Sequence, residues 1–136
     1  MKLITRDTGY AVTALCFIAV HKKKRISVSE LTENLKIPTH FLRKIMQLLN
    51  KKQILRSYKG QRGGFVLARA PKKIFLVDLI EMFQGPIRLS ECIFKKRICP
   101  SIKTCKLKKR IDDIRDYVIS ELKNITLASL LEKGDK

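Results

Sequence analysis

The chain has 136 residues, 45% of them apolar and 31% charged, which suits one folded domain with a sizeable core and excludes a disordered polymer. It carries 30 Lys and Arg against 12 Asp and Glu, a formal net charge of +18. No apolar stretch approaches the roughly 20 residues that a membrane-spanning helix needs. Residues 1–75 hold 17 of the cations and three acids (Asp7, Glu30, Glu33), net +14, whereas residues 76–136 are net +4. So one-sided an excess repels itself and points to a polyanionic partner. Nucleic acid fits best, because each neutralised phosphate releases a condensed counterion. An interfacial membrane anchor would need one strongly amphipathic basic helix or a lipidation signal, and here the cations are spread over several elements. An inert basic surface is the bland alternative.

In chain order, residues 7–20 read as a helix apolar nearly all round, hence largely buried. A signal peptide is the rival reading of this run after Lys2 and Arg6. Asp7 interrupts its start, and His21-Lys22-Lys23-Lys24-Arg25 stands where a small-residue cleavage site belongs, so a cytoplasmic protein is expected. Ser27 reads as an N-cap, with Glu30 completing a capping box. The short helix that follows presents Val28, Leu31 and Leu35 on one side. Lys36-Ile37-Pro38 breaks it, since Pro38 lacks an N–H and disfavours helix at Ile37. A second helix runs from about Thr39 to Lys52. Phe41, Leu42, Ile45, Leu48 and Leu49 form its core stripe, and His40, Arg43, Lys44, Gln47 and Lys51 face outward. Two short helices joined by a tight turn, the second with a basic outer face, match the helix-turn-helix pattern.

Residues 54–59 and 65–69 are strand-like and flank Gly60-Gln61-Arg62-Gly63-Gly64, so they predict a hairpin with Lys59, Gln61 and Arg62 at its tip. The three glycines lack the following helix and the Gly-Lys-Ser/Thr of a phosphate-cradling loop. A hairpin directly after a helix-turn-helix is a wing, whose basic tip can follow the backbone or enter a narrow minor groove; a plain structural hairpin is the alternative. Candidate DNA contacts are Ser29 on the first helix of the pair, Thr39, His40, Arg43 and Lys44 on the second, and Ser57, Lys59, Gln61 and Arg62 in the wing.

Leu76 to Phe83 makes a short helix closed by Gly85-Pro86. Residues 87–104 show no clean period. A long helix then runs from Cys105 or Lys106 to Asn124, with Leu107, Ile111, Ile114, Val118, Leu122 and Ile125 as a narrow apolar seam. Such a seam packs on another helix: its own copy in a symmetric dimer, or a helix of the same chain. Thr126 caps a last turn, 127–131. The expected architecture is mainly α with a small β-hairpin wing: a winged helix-turn-helix over 1–85, a cysteine-bearing loop over 86–105 and a dimerisation helix with a C-terminal turn over 106–136.

Cys16 sits within an apolar run and reads as a small core hydrophobe. Cys92, Cys99 and Cys105 differ, falling within 14 residues at spacing Cys-x6-Cys-x5-Cys among Lys95, Lys96, Arg97, Lys103 and Lys106. Nearby cations favour the thiolate, the form that binds metal. Disulfides are disfavoured in cytoplasm, and structural zinc prefers tighter pairs with a fourth Cys or His nearby. Three thiolates on one loop suit an iron–sulfur cluster with its fourth ligand from elsewhere; zinc, a thiol redox switch and coincidence stay open. Paired carboxylates in a cleft, a Ser-His-Asp arrangement and a cofactor fingerprint are all missing, so catalysis is not expected.

These residues carry a resemblance. The chain resembles, over nearly its whole length, the family of winged-helix bacterial regulators that includes IscR, NsrR, RirA and CymR. The marks are Tyr10-Ala11-Val12-Thr13-Ala14, Ile37-Pro38 before a helix with Phe41-Leu42, and Ser57-x-Lys59-Gly60-x-x-Gly63-Gly64-Phe65-x-Leu67-Ala68. The cysteine trio and Ile125-Thr126-Leu127 complete them. The resemblance implies a homodimer on a partly palindromic operator in double-stranded DNA. It also implies a 2Fe–2S or 4Fe–4S cluster on Cys92, Cys99 and Cys105 that reports iron, nitric oxide or redox state.

Three departures stand out. Lys59 replaces the family's Arg before the first wing glycine, keeping the charge but losing the bidentate fork. Lys108 stands where IscR-like members carry a ligating His. Gly9 stands where NsrR-like members recruit an Asp from the partner's first helix, and Asp7 lies two residues away. The fourth ligand is therefore open between Asp7 of the partner subunit, a low-molecular-weight thiol and water. Cys99-Pro100 and Cys105-x-Leu107 lean towards the NsrR side. CymR-like members imply the alternative, a cluster-free regulator controlled by a protein partner or by thiol oxidation.

Overall fold

In the computed structural model, which describes residues 2–21, 24–89 and 105–132, helix α1 (Arg6–Val20) packs on most of the other elements. Thr8, Ala11, Ala14, Leu15, Ile18 and Ala19 recur at helical spacing and form its buried face. The helix is less enclosed than its composition suggests. Tyr10, Val12, Cys16 and Phe17 are half-buried, and Val20 is 66% exposed, because a small fold covers only one side of the helix.

Helix α2 (Val28–Leu35) begins as expected, with the Ser27 hydroxyl accepting the Glu30 N–H at 3.1 Å. The reciprocal half of the box does not form: the Glu30 carboxylate pairs with Lys24 at 3.1 Å instead. Lys36 ends the helix in a left-handed conformation (φ 56°), returning its N–H to the Thr32 carbonyl at 3.0 Å. Helix α3 (Thr39–Lys51) starts directly after Pro38. Its buried stripe is Leu42, Ile45, Met46 and Leu49. Met46 replaces Leu48 and Phe41, which are half-buried, so the inward face is turned slightly from the expected one.

Strands β1 (Leu55–Tyr58) and β2 (Gly64–Leu67) pair antiparallel, with Leu55 opposite Leu67 and Tyr58 opposite Gly64. A third segment joins them. Ile26 exchanges two backbone hydrogen bonds with Phe65, at 3.0 and 2.8 Å, so the α1–α2 connection lies along the wing. Gly64 permits this approach: at φ 151° its backbone lies so close to Ile26 that an added Cβ would fall 2.8 Å from the Ile26 carbonyl oxygen.

A single 3-10 turn (Pro71–Lys73) leads to helix α4 (Leu76–Gln84). Helix α5 (Lys106–Leu122) follows Cys105, and Thr126 caps α6 (Leu127–Leu131) through a reciprocal capping box with Ser129. The Leu76 N–H donates to the Ile125 carbonyl at 3.0 Å and the Leu127 N–H to Ile74 at 2.8 Å, pinning the α5–α6 junction beside the start of α4. The main core gathers α1, α2, α3, the hairpin, α4 through Leu79, and α6; a smaller cluster joins Leu76, Val77 and Ile80 of α4 to Leu122. Burying one such leucine contributes about 1.5–3 kcal/mol. Among the described residues, a mainly helical fold with one two-stranded hairpin is the architecture expected from the sequence.

Candidate nucleic-acid interface and cysteine site

With Leu42, Ile45, Met46 and Leu49 fixed inward, the 3.6-residue period leaves His40, Arg43, Lys44, Gln47 and Lys51 of α3 exposed. Ser29 is exposed on α2. Thr39 is half-buried, with its hydroxyl 3.3 Å from that of Thr32, a bond that ties the two helices at their turn. At the start of α3 the His40 ring lies 4.1 Å from the Phe41 ring, and the Arg6 guanidinium sits 4.2 Å over Phe41. Arg6 thereby adds a cation from α1 to the exposed start of α3. Sequence reasoning passed over it, since nothing local links positions 6 and 41.

Across the hairpin, Ser57, Lys59, Gln61 and Arg62 are all exposed, and the Gly63 N–H closes the tip on the Gly60 carbonyl at 2.9 Å. Arg25 reaches this hairpin from outside it. Its guanidinium lies 3.8 Å over the Tyr58 ring, and Nη1 is 3.5 Å from the Arg62 carbonyl oxygen. The alternation Arg25-Ile26-Ser27-Val28 was the available signal for a strand-like edge here.

Of the proposed ligands, Cys92 and Cys99 lie outside the described residues. Cys105 is the N-cap of α5, half-buried, with Sγ accepting the Lys108 N–H at 3.4 Å. The Lys108 ammonium is held 2.8 Å from Asp112 Oδ2. The hydrogen bond from Lys108, supported by the charges of Lys108 and Arg115, holds the Asp112 carboxyl below the usual carboxylate range. Asp7 is exposed, 4.0 Å from Arg6 Nε, and lines a groove of about 580 Å³ together with Thr5, Gln84 and residues 85–89 of its own chain. Gln84 fixes one wall: its Oε1 accepts from the Thr5 N–H at 2.9 Å and the Thr8 hydroxyl at 2.7 Å, and its Nε2 donates to the Leu3 carbonyl at 3.1 Å. Among the described residues no three His, Cys, Asp or Glu side chains gather to hold a metal. Cys16 packs half-buried against the main core, where burial pushes its thiol up from the ordinary value and favours the protonated form.

The seam of α5 is only partly covered. Val118, Ile119 and Leu122 pack on the smaller core, whereas Leu107, Ile114 and Tyr117 are 72%, 51% and 67% exposed. No helix among the described residues is long and apolar enough to cross a membrane.

A helix pair with an exposed cationic second helix, followed by a hairpin with a basic tip, defines a winged helix-turn-helix. A family model described as an iron-dependent transcriptional regulator, Rrf2, matches residues 4–133. The chain belongs to the Rrf2 family, and is a transcriptional regulator rather than an enzyme. A protein of Aquifex aeolicus (strain VF5), provisionally named an HTH-type transcriptional regulator, is 31% identical over 137 residues, covering 98% of this chain and 95% of that one. Among solved structures, CymR of B. subtilis, described as its global cysteine regulator, aligns at a TM-score of 0.78 and 26% identity over 99% of this chain and 100% of that one. The IscR of T. potens shares the fold at a TM-score of 0.74 and 21% identity, with 100% and 94% covered.

Proposed function

We propose that this protein is a homodimeric, cytoplasmic, sequence-specific DNA-binding regulator whose operator affinity depends on an iron–sulfur cluster held by Cys92, Cys99 and Cys105. The observation that carries the DNA-binding part is the exposure of His40, Arg43 and Lys44 beside a hairpin with Lys59, Gln61 and Arg62 at its tip. Helix α3 is then the element for the major groove, with Ser29, Thr39 and the wing residue Ser57 as further contacts. The wing serves the phosphate backbone or the adjacent minor groove. The exposed seam of α5 supports pairing with a second copy on a partly palindromic operator.

Cys105 supports the cluster reading. Its sulfur accepts a backbone N–H at a helix start, as a ligating thiolate also does, and Lys106, Lys108, Lys109 and Arg110 stand there to offset negative charge. Lys108, engaged by Asp112, does not take the place of the IscR-like histidine. The fourth ligand is Asp7 of the partner subunit, a small thiol or water. When bound, the cluster supplies sensitivity to iron supply, nitric oxide or redox state.

The visible spectrum with iron and sulfide content, measured on protein purified without oxygen, tests this. Matched iron and sulfide in a brown protein, lost in Cys99→Ala and retained in Cys16→Ala, is the expected result. The likeness to CymR favours a second reading, a cluster-free regulator governed by thiol oxidation or a protein partner. Colourless protein after reconstitution would select it and leave DNA binding standing.

A further inference from the structure

We propose that Arg25 is a positioning residue for the wing, holding its tip in the shape in which Lys59, Gln61 and Arg62 meet DNA. The proposal rests on the DNA-binding reading above and adds to it a residue outside both the helix pair and the hairpin. Three observations converge on it. The connection before α2 is fixed to the hairpin by the two Ile26–Phe65 backbone hydrogen bonds, which Gly64 allows by lacking a Cβ. From that anchored edge the Arg25 guanidinium carbon lies 3.8 Å over the ring of Tyr58, the last residue of β1 before the tip. Its Nη1 reaches, at 3.5 Å, the carbonyl of Arg62 on the far side of the tip. One planar group therefore touches both limbs of the turn.

The consequence is entropic. A two-stranded hairpin is marginal alone, and a glycine-rich tip gains many conformations when unsupported. Ordering those residues at the moment of binding would subtract from affinity, whereas a tip already held avoids that cost. The role demands a guanidinium: a lysine keeps the charge but lacks the flat face and the forked donors that stack on Tyr58 while reaching the Arg62 carbonyl.

The test has one arm without DNA and one with it. In the full chain, hydrogen exchange of the peptide spanning 58–64 is compared for wild type, R25A and R25K. Faster exchange at the tip in both variants, with the rest of the protein unchanged, is expected; unchanged tip exchange overturns the proposal. The DNA arm uses a duplex that wild-type protein selects from a random-sequence pool. R25A lowers affinity about threefold, the scale of an exposed cation–π contact, and R25K stays near R25A. Placed in K59A/Q61A/R62A, R25A lowers affinity no further, because a tip without those three side chains leaves nothing for Arg25 to position. Additive losses would make Arg25 a direct DNA contact, and full recovery in R25K would make it a bare charge; either overturns the positioning role. If wild type selects no duplex at all, the DNA-binding reading fails, and tip exchange still decides what Arg25 does.

Discussion

Helices α3 and α5 have similar apolar spacing and opposite fates. In α3, Leu42, Ile45, Met46 and Leu49 are all buried by the chain itself, and the face left to solvent is cationic. In α5, only Leu122 at the C-terminal end is buried, and the face left to solvent keeps Leu107, Ile114 and Tyr117. Periodicity therefore identifies an apolar face without saying what covers it. A helix with its apolar stripe sealed offers its polar side for work, whereas a helix with its stripe open offers the stripe. In this molecule the first situation fits recognition of a polyanion and the second fits a second copy of the chain.

That contrast can be broken most severely at Leu42. Leu42→Ala deletes fully buried atoms between α3 and the rest of the core, and a loss of about 3 kcal/mol of stability in urea unfolding is expected. A loss below about 1 kcal/mol would mean that α3 is not sealed as described. Ile114→Glu probes the open stripe. Sedimentation should show dimer giving way to monomer with helical content retained; unfolding on the scale of Leu42→Ala would instead make Ile114 a core residue. Arg43→Ala tests the working face of α3, with operator affinity falling about tenfold, or roughly 1.4 kcal/mol, and the unfolding midpoint unchanged. Equal binding at matched salt would remove Arg43 from the interface.

The smallest effect belongs to Asp112, whose exposed pair with Lys108 is screened by solvent. Its carboxyl is held down by Lys108, so its contribution is present above the unfolded-state value and is lost as pH falls through the folded one. Asp112→Asn should lower the thermal midpoint marginally at pH 7, and the difference should close as pH falls through the folded-state value. A difference persisting in acid would point to another role.

Much of this was legible in local sequence. Ser27 caps α2, Thr126 caps α6, and the hairpin falls where its glycines place it. Each depends on residues a few positions apart, and so on chemistry a short window contains. Reading failed where two satisfactory local partners competed. Glu30 could close the capping box or pair with Lys24, and the ion pair won. Reading also slipped where the helical face was judged by residue type: Met46 filled the inward position assigned to Leu48.

By itself, then, the sequence determined the order of elements, the winged helix-turn-helix, the one-sided charge and the cysteine spacing, all written in periods and spacings along the chain. The tertiary structure alone decided that Arg6 joins the start of α3, that Arg25 braces the wing and that Gln84 ties the N-terminal segment to α4. Those contacts join residues 33 to 81 positions apart. Such partners meet only after Leu15, Leu42, Met46 and their neighbours have closed the core, because burial of apolar surface is non-directional and sets which distant surfaces come to face each other.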